Sequence, residues 1–114
     1  MIVYYRILSY DNQERNIVVR YFTDTVTEIE LGIYDENGIL QLTDKGYPVS
    51  CRTDYSFTIF NINATEDDIK ETIKNGVPVE WFTMKEAIAN TFINTDISEI
   101  SPIVTNTDIN IINL

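Results

Sequence analysis

The first sixty residues carry the patterning of strands. Val3-Tyr4-Tyr5-Arg6-Ile7-Leu8-Ser9-Tyr10 is rich in aromatic and β-branched residues, the types that fit a pleated surface. Asp11 to Arg15 is a polar connection of hairpin length, and Asn16 to Phe22 reads as the return strand. One face of that strand holds Ile17, Val19 and Tyr21; the other holds Val18, Arg20 and Phe22. The first is the expected core side, and Val18 and Phe22 predict that the second is partly covered too. Thr27-Glu28-Ile29-Glu30 has the form of a capping box and predicts a helical turn, with a strand from Val26 as the competing assignment. Asp35-Glu36-Asn37-Gly38 lies between apolar segments and predicts a hairpin, because Asn and Gly both tolerate positive φ. Asp44-Lys45-Gly46 is a further turn. Val49 to Asn61 is the longest strand expected, with Tyr55, Phe57 and Ile59 alternating with Ser56, Thr58 and Phe60.

The pattern then changes to helical spacing. Thr65 supplies an N-cap hydroxyl, and Glu66, Asp67 and Asp68 sit at the positive end of the helix dipole. This helix is expected to run to about Asn75 and stop at Gly76. Ile69 and Ile73 form its narrow apolar face, and Glu66 and Lys70 make an i,i+4 pair. Pro78 suits the first turn of a second helix, on which Trp81, Met84, Ile88 and Phe92 share a face with Lys85 beside them. Asp96 and Glu99 are placed to cap one last short turn before Pro102. From Ile103 to Leu114, Thr, Asn and Asp alternate with isoleucine, with no turn signal. The expected fold class is α+β: an N-terminal antiparallel sheet of hairpins, two or three short helices, and an extended C-terminal tail. Residues 1–102 form one domain, and 103–114 an extended arm.

Composition narrows the chemistry. A chain of 114 residues with 44% apolar content supports one core. No apolar run approaches the roughly 20 residues that span a bilayer, and no basic region precedes an apolar stretch at the N-terminus. Neither a membrane span nor a cleaved leader is therefore expected. Eighteen acids against eight bases give a net charge of −10, which argues against nucleic-acid and anionic-lipid binding. Histidine is absent and cysteine is single, which excludes histidine-based catalysis, an intrachain disulfide and a cysteine zinc site.

The remaining candidates each have a plainer explanation. Glu66-Asp67-Asp68 has the chemistry of a divalent-cation ligand, but capping accounts for it. Asp35 to Gly38 lacks calcium-loop spacing, since the sixth position is Leu40 rather than glycine. Asp54 is the carboxylate best placed among aromatics for hydrolysis, and an ion pair with Arg52 on the same strand face explains it. Cys51 has no histidine to activate it and is expected as a buried apolar thiol. The four glycines never cluster, so no phosphate loop forms. Asn63-Ala64-Thr65 matches a glycosylation sequon by chance spacing. Catalytic, cofactor and metal residues are all expected to be lacking, and so is a small-molecule substrate.

Interaction residues are the better candidates. Tyr4 and Tyr5 face opposite ways on a strand, so one core layer cannot bury both. Trp81 and Phe82 lie about 100° apart on a helix, and each is either core or anchor for a partner. Ile103, Ile109, Ile111 and Ile112 give the arm the character of a strand that adds to a sheet edge.

Three segments carry a resemblance: Val18-Val19-Arg20-Tyr21-Phe22-Thr23-Asp24, Cys51-Arg52-Thr53-Asp54-Tyr55, and Val79-Glu80-Trp81-Phe82-Thr83-Met84-Lys85-Glu86. In this order and spacing the chain resembles small proteins of tailed bacteriophages associated with the virion tail, baseplate or neck. The resemblance covers most of residues 1–100. It implies a non-enzymatic structural subunit or adaptor in the virion, assembled in the host cytoplasm, with other virion proteins as partners and multiple copies per assembly. The charge supports a second reading: a small acidic phage inhibitor that mimics nucleic acid and blocks a host DNA-binding protein.

Overall fold

In a computed structural model that describes residues 1–91 and 109–113, a four-stranded antiparallel sheet is the frame. β1 (Ile2–Asp11) and β2 (Asn16–Phe22) form the central hairpin. β3 (Asp54–Thr58) adds to β2, and β4 (Asn110–Asn113) adds to β1, giving the order β3-β2-β1-β4. The hairpin loop is organised by Asp11, whose Oδ1 accepts from the amides of Gln13 and Glu14 at 2.9 and 3.2 Å. Arg15 closes it in the left-handed region at φ 53°. A bulge at Leu8 shifts the register between Ile7 and Ser9.

One sheet face is apolar. Val3, Tyr5, Ile17, Val19, Tyr21 and Ile112 are buried there with Ile73, Val77 and Phe82. The last three come from α2 (Glu66–Asn75), α3 (Val79–Thr91) and the link between them. Thr65 and Asp68 form a reciprocal capping box at the start of α2. At its end Tyr21 Oη donates to the Ile73 carbonyl at 2.5 Å. The absence of a side chain at Gly76 lets the helix approach; a Cβ there would stand 2.5 Å from the Phe57 ring.

The other face is covered by α1 (Glu28–Leu31) and the excursion from 32 to 53. Thr27 caps α1, accepting from Glu30 N at 3.3 Å. The excursion is a small meander held by bridges Gly32↔Cys51, Tyr34↔Leu40 and Leu42↔Pro48. Its first turn is built by Asp35, which accepts from the amides of Asn37 and Ile39, with Gly38 at φ 76°. Asn37 keeps negative φ, so the single left-handed residue is the glycine.

The α+β class with an N-terminal antiparallel sheet and short helices stands. Four details differ from the sequence reading. The long strand expected over 49–61 shrinks to β3, because a turn closes with Asp54 N donating to Cys51 O at 3.2 Å. Asp54 pairs with Arg20, its cross-strand neighbour, rather than with Arg52, which lies in that turn. On α3 the buried ring is Phe82; Trp81 is half-buried against it at 5.3 Å, and Met84 is exposed. The end of the expected arm is a strand of the sheet, because Ile112 fills the apolar face beside its register partner Val3. Phe92, Asp96, Glu99 and Ile103 lie outside the described residues.

Candidate functional site

The register of the central hairpin sets Arg6 directly opposite Arg20. Both side chains are fully buried, an arrangement that like charges oppose. Glu28 resolves it. The short helix α1 brings its carboxylate between them, where it accepts from Arg6 Nε at 2.9 and 3.1 Å and from Arg20 Nη1 at 3.0 Å. Asp54 takes the second edge of Arg20 through Nε at 2.9 Å and Nη2 at 3.2 Å. The Pro48 carbonyl accepts from Arg20 Nη1 at 2.9 Å. Tyr47 lies over both guanidiniums, 4.8 Å from that of Arg6 and 5.6 Å from that of Arg20. Burial works against the charge on Arg20, but the hydrogen bonds to Asp54 and Glu28 outweigh it and hold the guanidinium above its ordinary value.

This cluster is a fastener. Its two acids are bound up by its arginines. Cys51 donates to the Glu28 carbonyl at 3.4 Å. Burial pushes its thiol up to about 12, which leaves it protonated and unreactive at neutral pH. Among the described residues no group of three Cys, Asp or Glu side chains could hold a metal ion.

The residues expected to meet partners fall in different places. Tyr5, Phe82 and Ile112 are buried in the core. Tyr4 is half-buried, stacks on Phe22 at 5.5 Å and donates to Asp24 at 3.2 Å. Trp81 is half-buried with the Lys85 ammonium 5.4 Å over its ring. Ile109 is half-buried, and Ile111 is exposed on the outer face of β4.

The most exposed apolar side chains among the described residues lie outside those candidates. Phe60 is 89% exposed and Ile62 76%. Arg15 fixes the segment that carries them: its Nε donates to the Ile59 carbonyl at 3.1 Å and its Nη2 to the Asn61 carbonyl at 2.9 Å. Ile59 N donates back to Arg15 O at 2.8 Å. The two side chains therefore stand on a held backbone. A second apolar row, Ile33 and Val49 on either side of Gln41, faces outward from the meander. The only sequence signal at Phe60 was its place in the strand alternation, which says which face a residue takes and not whether anything covers it.

Setting aside the two arginines and two acids of the buried cluster leaves sixteen acids and six bases. Arg15 is spent on backbone carbonyls and Lys70 lies 3.6 Å from Glu66. No family model, curated protein or solved structure matches this chain.

Proposed function

We propose that the chain is a non-enzymatic structural subunit or adaptor of a tailed-bacteriophage particle, of tail, baseplate or neck type, acting through protein–protein contacts. The observation that carries the contact role is the pair Phe60 and Ile62, exposed on a backbone clamped by Arg15. Large apolar side chains on a preorganised backbone lose little conformational freedom on docking, which favours a role as anchors. The phage assignment rests on the resemblance of the three segments. Cross-linking mass spectrometry on particles from the native source tests both. Links from residues 52–62 or from Ile111 to other particle proteins are expected; their absence from intact particles would sink the proposal.

The inhibitor reading is favoured by the acidic balance outside the buried cluster. Several of those acids are engaged locally, however: Asp11 and Asp35 build turns and Asp68 caps α2. A nucleic-acid mimic must present its carboxylates as a spaced array. Titrating salt against a captured partner separates the two, because mimic binding weakens steeply with salt and apolar docking does not.

A further inference from the structure

Among the described residues no strand pairs with the outer edge of β3. Its odd-numbered residues turn their backbone groups inward, as the bonds Tyr21 N to Thr53 O and Ile59 N to Arg15 O show on either side of the strand. In an antiparallel ladder the even-numbered Ser56 and Thr58 then turn their amides and carbonyls outward. Natural edges are usually blunted by lysine, proline or a bulge. Asp54-Tyr55-Ser56-Phe57-Thr58 has neither residue, and its pairing with β2 runs without a shift.

We propose that this edge is an interface between two copies of the chain, with β3 of one copy pairing antiparallel to β3 of the other about a two-fold axis at Ser56. That centre is the one register that uses all five residues of the strand. Ser56 meets Ser56 of the second copy with mutual backbone bonds. Thr58 N–H meets the Asp54 carbonyl, whose amide is already satisfied by Cys51 O. On the helix-covered face, Tyr55 meets Phe57, an aromatic cross-strand pair formed twice. Tyr55 is 38% exposed and Phe57 half-buried, so both have surface to lose. The single acid of the strand faces threonine rather than its own copy, so the pairing sets no like charges opposite each other. The register also sends Phe60 of each copy toward the exposed Arg52 of the other, a cation for an uncovered ring. The result is one eight-stranded sheet.

The interface is short, and each copy carries −10. Association is therefore concentration-dependent and strengthens with salt, which screens the repulsion between copies. This inference deepens the assembly reading, but its failure is separable: self-association is measured on the pure chain, and particle contacts by cross-linking.

Sedimentation equilibrium on the full chain is the test. The mass should rise with concentration from 13.2 kDa toward twice that value, more readily at high salt. Ser56→Glu places two carboxylates on the axis, keeps the backbone bonds to β2 while giving up the Ser56 Oγ bond to Asn16, and should weaken association by about fivefold. Ser56→Pro removes an outward amide and should abolish it, with far-UV circular dichroism confirming that the monomer stays folded. Ser56→Cys gives a direct reading of register. Cα atoms opposed across a hydrogen-bonded pair lie about 5.5 Å apart, within disulfide reach. The native Cys51 is buried and does not compete. Mild oxidation should yield a covalent dimer with Ser56→Cys and none with Thr58→Cys. A wild-type monomer at every concentration and salt, a dimer indifferent to Ser56→Pro, or a cross-link through position 58 alone would each overturn the proposal.

Discussion

Glu28 is the residue on which the polar side of the sheet depends. It stands between two buried guanidiniums that the hairpin register forces together. Glu28→Gln keeps the shape and removes the charge, taking the carboxylate away from Arg6 and leaving Arg20 with Asp54 alone. Breaking a buried pair this way costs about 3 kcal/mol or more. Glu66→Gln, at the exposed pair with Lys70, should change stability by less than about 1 kcal/mol. Urea denaturation of the two variants side by side checks the contrast; equal effects would show that Glu28 is not the keystone. Cys51 and Tyr21 should weaken the fold on the alkaline side. Burial raises both above their ordinary values, to about 12 for the thiol. The unfolded thiol loses its proton near 9 while the folded one keeps it, so stability is full below about 9 and falls as pH rises toward 12. The thiol alone contributes a slope of at most about 1.4 kcal/mol per pH unit. Thermal melts from neutral pH upward should show this decline, and Cys51→Ala should flatten it. The buried thiol was legible from the lack of any activating base. The arginine–glutamate cluster was not, because it needs the register of the hairpin and the docking of α1 together.

At the scale of elements, local signals worked where the chain itself supplies the partner. The Thr65 cap and the Gly76 stop of α2 are bonds within a few residues, and spacing alone reveals them; the reciprocal Asp68 bond of the box is added by the structure. Strand length failed, because the 51–54 turn and the Arg15 clamp end β3 through contacts more than forty residues apart in sequence on the Arg15 side. The face of α3 was misjudged for a related reason: Trp81 and Phe82 are both apolar, and only the docked sheet selects Phe82. The docking of α2 is itself testable at Gly76. A Cβ there would meet two atoms of the Phe57 ring at 2.5 and 2.6 Å. Gly76→Ala should destabilise by about 1–3 kcal/mol through overpacking, since its φ of −86° needs no glycine. Phe57→Leu should recover part of that loss in the double variant, and a simple sum of the two effects would contradict the packing account.

At the scale of the molecule, the C-terminal end closes the sheet. β4 pairs with β1 through Ile2, Val3, Tyr4 and Tyr5, and Ile112 enters the common core. Ile112→Ala should therefore cost about 2 kcal/mol or more, and removing residues 110–113 should lower the thermal midpoint clearly. Ile111→Ala, on the exposed side of the same strand, should cost far less. A deletion that leaves the midpoint unchanged would make β4 a loosely held arm. The charge distribution is also a whole-molecule property: pairing two of eight bases with two acids in one cluster leaves the remainder richer in acids than composition implies.

By itself the sequence determined the class of fold, the central hairpin, the caps of α1 and α2, and the exclusion of chemistry that needs histidine or a second cysteine. These follow from composition, from period-two and period-3.6 patterning, and from bonds within one turn. The tertiary structure alone decided which aromatic is core and which is exposed, that Arg20 rather than Arg52 holds Asp54, and that Ile112 belongs to the sheet. It also decided that Phe60, on an otherwise ordinary alternation, is left uncovered. Each of these turns on what a distant segment places against a face, and a pattern along the chain records the face without its neighbour.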